Sequence, residues 1–430
     1  GAATARQYLR AGQIDEMELH VVPTILGGGE RLFDEIVRPP AGLEFVEVLS
    51  SPVVAHFRYA RPEPGAQQRA ARGRDRRIRA AGNPGSATTQ ATPAARFDPV
   101  RDAMANQVER GVAPGLLFLV AQGSEVHAEA IGMTSFERRE PMRRDTIFRI
   151  TSMTKPITAA AAMMLVEAGK LALDEPVDRL LPELADRRVL KRIDGPLDET
   201  VPAKRPITVR DLLTFRLGFG LLFDPSYPIV RAANERGINL VPPDPSVDLT
   251  PDEWMRRFAT VPLMHQPGER WLYGTGSNVL GVLIGRAAGQ PFDAFLRDRI
   301  FAPLGMNDTG FSVPADKLDR LATSYSTDPQ TGKRAVYDSV VDSRWAKPPA
   351  FPAAASGLVS TCDDYLAFAR MLLGQGALGA RRILSPASVA QMTTNQLTPE
   401  QRAAAGPILA ANRGWGFGLS VVVDPEAASP

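Results

Sequence analysis

Ile147-Phe148-Arg149-Ile150-Thr151-Ser152-Met153-Thr154-Lys155-Pro156 carries a short strand pattern into a long apolar segment, Thr154 to Ala168, closed by Gly169. Apolar residues fall on nearly every side of the helix predicted there, and such a helix belongs in the centre of a domain. Ser152 and Lys155 form an S-x-x-K at its start. Positions i and i+3 share a helix face, so the lysine amine can reach the serine hydroxyl. Free backbone N–H groups and the helix dipole at that end favour the negative charge that develops in acyl transfer. An apolar setting lowers a lysine's pKa and lets it take the serine proton. Pro156 suits a first helical turn. The motif alone also reads as a capping serine beside a surface lysine. A lysine heading an apolar helix favours the catalytic reading.

A second element is Trp271-Leu272-Tyr273-Gly274-Thr275-Gly276-Ser277-Asn278, leading into a predicted helix over Val279 to Ala288. A tyrosine before a glycine-rich turn can stand at a site's edge, and its phenolate serves as a base where cations lower its pKa. A buried structural tyrosine is the competing reading, and the upstream S-x-x-K favours the functional one.

Phe148 to Lys155, Ile207-Thr208-Val209-Arg210-Asp211-Leu212-Leu213-Thr214, Pro267-Gly268-Glu269 ahead of Tyr273, Pro303-Leu304-Gly305-Met306 and Ser356-Gly357-Leu358-Val359-Ser360-Thr361 occur in that order. Together they resemble the serine β-lactamase superfamily over nearly everything after Phe97, and most of all class C β-lactamases and family VIII-type esterases. The resemblance implies an α/β (α+β) sandwich of the β-lactamase/transpeptidase type: an antiparallel sheet flanked by helices, plus a mostly helical lobe, with the site between them. It further implies that Ser152 is acylated, that Lys155 and Tyr273 share the acid–base work, and that Thr275 holds the polar third position of the tyrosine motif as a substrate-binding residue.

The superfamily's third motif, Lys-Thr-Gly or a His-x-Gly or Trp-x-Gly variant, supplies one of two backbone oxyanion donors. No Lys-Thr-Gly occurs here, and Gln330-Thr331-Gly332-Lys333 reads as a loop. Trp415-Gly416-Phe417-Gly418 is a superficial match, because Gly416 to Val423 reads as the strand before the motif. On that expectation the hydrolase domain lacks its C-terminal end. Loss of one oxyanion donor costs roughly 2.7–4 kcal/mol, which makes an inactive or binding-only domain a rival reading. Thr275 stands where class C enzymes usually carry asparagine, and Phe215-Arg216-Leu217-Gly218 departs from a commoner His-x-x-Gly. Both departures favour a carboxylesterase working through an acyl-enzyme over a β-lactamase or D-Ala-D-Ala peptidase. The expected partner is a small-molecule ester or β-lactam.

The first zone is distinct. Glu16 to Val22, Phe45 to Leu49 and Val54 to Tyr59 read as strands, with Gly27-Gly28-Gly29 as a loop. Ala11 to Glu16, Leu26 to Phe33 and Ser51 to Tyr59 resemble the C-terminal end of riboflavin-pathway and dihydrofolate-reductase-like reductases. A complete domain of that group implies NADPH. Residues 1–60 make only part of one, so no cofactor is expected. Residues 61–96 read as a linker: seven arginines between Arg61 and Arg79 stand among Ala, Gly and Pro with few large apolar residues. A basic run can bind nucleic acid, but no aromatic residue interleaves these arginines, and a solvated spacer is the preferred reading. Residues 97–430 form the hydrolase domain.

The bulk numbers agree. The 430 residues suit two or three domains, and 44% hydrophobic with 23% charged residues is an ordinary globular balance. A formal net charge of +2 gives no argument for a nucleic-acid partner. The single cysteine, Cys362, excludes an intramolecular disulfide and reads as a small buried residue; no Cys/His cluster spells zinc. No apolar run spans a bilayer, Ile157 to Val166 being roughly half the required length. No signal peptide is legible; the N-terminus, starting at Gly1, reads as incomplete, and cytoplasm is the favoured compartment. Oligomeric state is left open. His20 and His56 fall on strands, and His127 and His265 read as structural or surface residues.

Overall fold

The computed structural model describes residues 16–21, 44–51 and 54–60 as strands, and residues 97–222, 224–327, 333–410 and 412–424 in full. The glycine loop at 27–29, the linker at 61–96 and the loop at 330–332 lie outside the described residues. Strands β1 (Glu16–Val21), β2 (Glu44–Ser51) and β3 (Val54–Ala60) form an antiparallel sheet ordered β1-β3-β2, with His20 opposite His56. All three predicted strands of this zone are present.

The described residues up to Gly132 and those from Met133 to Val423 fall in two separate units. The first carries α1 (Asp98–Glu109) and a hairpin of β4 (Gly115–Gln122) and β5 (Glu125–Gly132). Gly123 supplies the positive φ, 58°, that so short a hairpin turn needs. His127 stacks on Phe97 with ring centroids 4.7 Å apart, the structural role expected of it.

The second unit is organised around α2 (Thr154–Glu167), in which ten residues, including Ile157, Ala159–Ala162 and Met163, are buried. Gly169, at φ 68°, follows it in the left-handed conformation that glycine adopts freely. Strand β6 (Phe148–Arg149) precedes α2 and pairs antiparallel with β7 (Val359–Ser360). Between these lie α3 (Val209–Leu213) and α4 (Thr275–Ala288), the latter packed against α2. Thr208 and Asp211 form a reciprocal capping box on α3. Helix α4 begins four residues earlier than periodicity indicates, because Gly274 at φ 101° turns the chain directly into it. The stretch Ser360-Thr361-Cys362-Asp363 offers a capping pattern to the apolar helix that follows, and Thr361 caps α5 (Cys362–Leu373) by accepting from Asp364 N–H.

Two expectations change. Cys362 is half-buried at the head of α5, where the first turn leaves it short of the core. The strand expected over Gly416 to Val423 is shorter: β8 (Arg413–Trp415) pairs with β9 (Ser420–Val422), and Gly416–Leu419 form the turn between them. Gly416 N–H donates to Leu419 O at 2.9 Å and Gly418 takes φ 75°, so these glycines bend the chain. Among the described residues no helix is long and apolar enough to cross a membrane.

Candidate active site

Ser152 sits in a single 3-10 turn, Thr151–Met153, between β6 and α2. Thr151 has φ 43°, an uncommon value for a threonine, and this sharp turn delivers the serine to the head of the helix. Two distant groups fix it: Tyr365 Oη donates to Met153 O at 3.1 Å, and Leu358 N–H donates to Thr154 Oγ1 at 3.3 Å.

Lys155 lies one turn further along and is 3% exposed. Its Nζ donates to Ser152 Oγ at 2.9 Å and to Ala355 O at 2.8 Å, and stands 4.5 Å from the centre of the Tyr273 ring. Burial without a facing carboxylate lowers its pKa from the ordinary 10.5 to about 7. An amine that is half neutral near neutral pH and hydrogen-bonded to a serine hydroxyl has the properties of a general base.

Tyr273 precedes α4 in a cluster of rings. Phe215 and Trp415 meet it edge-on at 5.6 and 5.9 Å, and Trp271 lies 5.8 Å away. Burial raises its pKa, opposed by a hydrogen bond with Ser152. The phenolate considered on sequence grounds requires a neighbouring cation. The nearest candidate, Lys155, is itself driven toward the neutral amine, so burial favours a neutral phenol. Ser152, Lys155 and Tyr273 therefore converge. Thr275 stands two residues beyond Tyr273, in the first turn of α4, and is buried.

Asn278 was quoted on sequence grounds only as the end of the tyrosine motif, yet it has a defined contact. Its Oδ1 accepts from Ala355 N–H at 2.9 Å, and the carbonyl of the same Ala355 receives Lys155. The neighbouring Ala354 O accepts from Thr158 Oγ1 at 2.8 Å. One short segment, held by α4 and α2, thus orients the lysine. A polar residue inside an apolar helix was the available signal.

Trp415 joins the ring cluster beside Tyr273, so the Trp-Gly-Phe-Gly stretch reaches the site although its strand pairing is that of β8 and the turn. Gly418 approaches α2 closely: a Cβ there would meet Ala159 Cβ at 2.5 Å and Lys155 O at 3.0 Å. His265 is half-buried, which lowers its pKa, and its backbone N–H donates to Gly218 O at 3.1 Å. Among the described residues no group of three His, Cys, Asp or Glu is placed to hold a metal.

Comparison with known proteins places the chain in a family. The Beta-lactamase family model matches residues 100–428, and the RibD C-terminal domain model matches residues 1–53. Protein Rv1367c of Mycobacterium tuberculosis is 42% identical over 325 residues, covering 75% of this chain and 78% of its own. Esterase EstB of Burkholderia gladioli is 33% identical over 356 residues, 79% of this chain and 82% of its own. The solved structure of EstCE1, a hydrolase with promiscuous acyltransferase activity, aligns with a TM-score of 0.62 at 27% identity, covering 76% of this chain and 83% of that one. From about residue 100 onward, the chain belongs to the β-lactamase family, with the serine β-lactamase/transpeptidase fold.

Proposed function

We propose that this protein is a carboxylesterase that works through an acyl-enzyme on Ser152. The observation that carries the reading is the 2.9 Å contact between Ser152 Oγ and a buried lysine whose pKa is lowered to about 7. Neutral Lys155 takes the Ser152 proton as Oγ attacks the ester carbonyl. The carbonyl π electrons move onto oxygen, and the Ser152 N–H at the head of the helical run donates to that oxyanion. Collapse expels the alkoxide, which receives a proton from the Lys155–Tyr273 pair, leaving an acyl-Ser152. Water, deprotonated by the same pair, then attacks the acyl carbonyl and releases the acid and Ser152. Tyr273 acts as a neutral phenol, donating and relaying protons between Ser152 and the leaving group. Thr275 contributes to binding through its position in the tyrosine motif.

Esterase and acyltransferase relatives support acyl transfer from an ester, and EstB is named an esterase. Thr275 and Phe215, where the β-lactamase pattern has other residues, support an ester over a β-lactam. The test is intact mass after a fluorophosphonate, on wild type and Ser152→Ala, alongside turnover of a short-chain nitrophenyl ester and of a penicillin. A Ser152-dependent adduct with ester turnover is expected. Faster penicillin turnover would make the protein a β-lactamase, and no adduct on folded protein would make it a binding-only domain.

A further inference from the structure

A cleft of about 640 Å³ between α4 and residues 348–352 does not include Ser152, Lys155 or Tyr273 in its lining. It is a half-open cleft, and ligand pockets run from about 300 to about 1,000 Å³, a range that includes it. We infer that this cavity is a second binding site, for a neutral and mainly apolar ring-bearing molecule, and that its occupancy is felt at Lys155.

The wall chemistry sets the ligand class. Phe292, Phe301, Phe311 and Phe351 contribute the apolar surface. The charged residues at its edge are Arg286, Arg297, Asp252 and Asp293, which cancel in formal charge. Arg286 is already engaged by Asp252 at 2.8 Å and by Glu183 at 2.7 Å, and Arg297 by Asp298 at 3.0 Å. An anionic ligand would have to displace these pairs, whereas a neutral one leaves them intact. Gly285 in α4 keeps one wall open. Glycine inside a helix costs about 1 kcal/mol relative to alanine, yet a Cβ there would come no closer than 3.4 Å to any neighbour, so packing does not require its absence.

The wall also gives the coupling. Residues 348–352 line the cavity, and the same segment continues into Ala354 and Ala355. Ala354 O accepts from Thr158 and Ala355 O from Lys155, while Ala355 N–H donates to Asn278. On the other wall, a Cβ at Gly281 would lie 2.5 Å from Ala354 Cβ, so helix and segment touch with no slack. A molecule that fills the cleft against both α4 and residues 348–352 therefore bears on the segment whose carbonyl holds the lysine. Binding stands independently of the acyl-enzyme reading; the effect on catalysis rests on it.

The probe is N-phenyl-1-naphthylamine, a neutral aromatic dye that brightens in apolar sites, titrated against the full chain. Saturable binding to one site is expected, unchanged when Ser152 carries a bulky fluorophosphonate. It should weaken by about tenfold or more in Gly285→Leu and in Ser312→Trp, two fillings from different walls, each checked for folding by thermal melting. Saturating dye should also change ester turnover by about threefold or more, in either direction. Absence of saturable binding to folded wild type, loss of binding on modification of Ser152, or full binding in both folded variants overturns the site. Unchanged turnover at saturation overturns the coupling. If wild type turns over no ester without dye, the acyl-enzyme reading and the coupling built on it both fail, and the dye titration still decides the site.

Discussion

Titrating the reaction against pH tests the base assignment most directly. A lysine at its ordinary 10.5 is neutral in roughly one molecule in 3,000 at pH 7, whereas Lys155, lowered to about 7, is neutral in about half. Burial thus raises the supply of neutral base by about three orders of magnitude at neutral pH. The sign follows: below about pH 7 Lys155 is protonated and donates to Ser152 Oγ, so the rate climbs about tenfold per pH unit toward that midpoint and levels off above it. The assay is the second-order rate of Ser152 modification by a fluorophosphonate, measured from about pH 5.5 to about pH 9.5, together with kcat/KM for a nitrophenyl ester. Lys155→Arg keeps a hydrogen-bonding cation that stays protonated throughout, and its rate at pH 7 should fall by about a thousandfold. A flat profile, or a midpoint near that of free lysine with Ser152 still essential, would refute the assignment.

The same shift bears on stability. The unfolded chain holds the Lys155 proton up to about pH 10 while the folded one releases it near 7, so stability rises with pH between those values, by at most about 1.4 kcal/mol per unit. Urea unfolding should show that slope in wild type and not in Lys155→Met. Tyr273→Phe removes a hydroxyl but no charge, so kcat should drop by roughly a hundredfold with the pH midpoint held near 7; a large move of the midpoint would mean that the tyrosine carries charge. Asn278→Ala leaves the Ala355 N–H unpaired, at about 1–3 kcal/mol, and should lower kcat more than it raises KM. Asn278→Asp keeps the acceptor, and its added negative charge should push the pH midpoint upward. Asp338→Ala strands Arg149, whose side chain is 5% exposed and whose partner in a buried ion pair is Asp338. Chemical denaturation should show a loss of about 3–5 kcal/mol, with much of it recovered in Arg149→Met/Asp338→Leu.

What was legible in the chain was what is local. Ser152 and Lys155 meet because they lie three positions apart at the head of one helix, and the apolar run behind them was enough to place that helix at the centre. The Thr361 cap and the closing Gly169 are equally short-range. The groups that orient the lysine were not legible, because they arrive across long separations. Ala355 lies 200 residues from Lys155, Asn278 lies 77 from Ala355, and Tyr365 lies 212 from Met153. No periodicity encodes such meetings. The strand expected over Gly416 to Val423 was read too long because the likeness to the strand before the third motif covered the whole run, whereas Gly416 and Gly418 bend the chain ahead of Ser420. The ring cluster that half-buries Tyr273 was legible only in part: Trp271 lies two residues away in the same motif, whereas Phe215 and Trp415 arrive from two other parts of the chain.

These long-range contacts explain why one environment serves two opposite groups. Desolvation penalises whichever form is charged, so the apolar walls that push Lys155 down push Tyr273 up. Tyr273 is then a neutral phenol at neutral pH, and Lys155 is neutral in about half of the molecules. On the proposed mechanism those molecules gain charge only as Ser152 attacks, when a protonated lysine and an oxyanion form together in a region of low dielectric, where their attraction is strongest. A surface lysine or a phenolate would carry its charge beforehand, and water would have screened it. On that mechanism the ring cluster around Tyr273 serves the chemistry by favouring the neutral phenol, so that electrostatic stabilisation falls on the transition state.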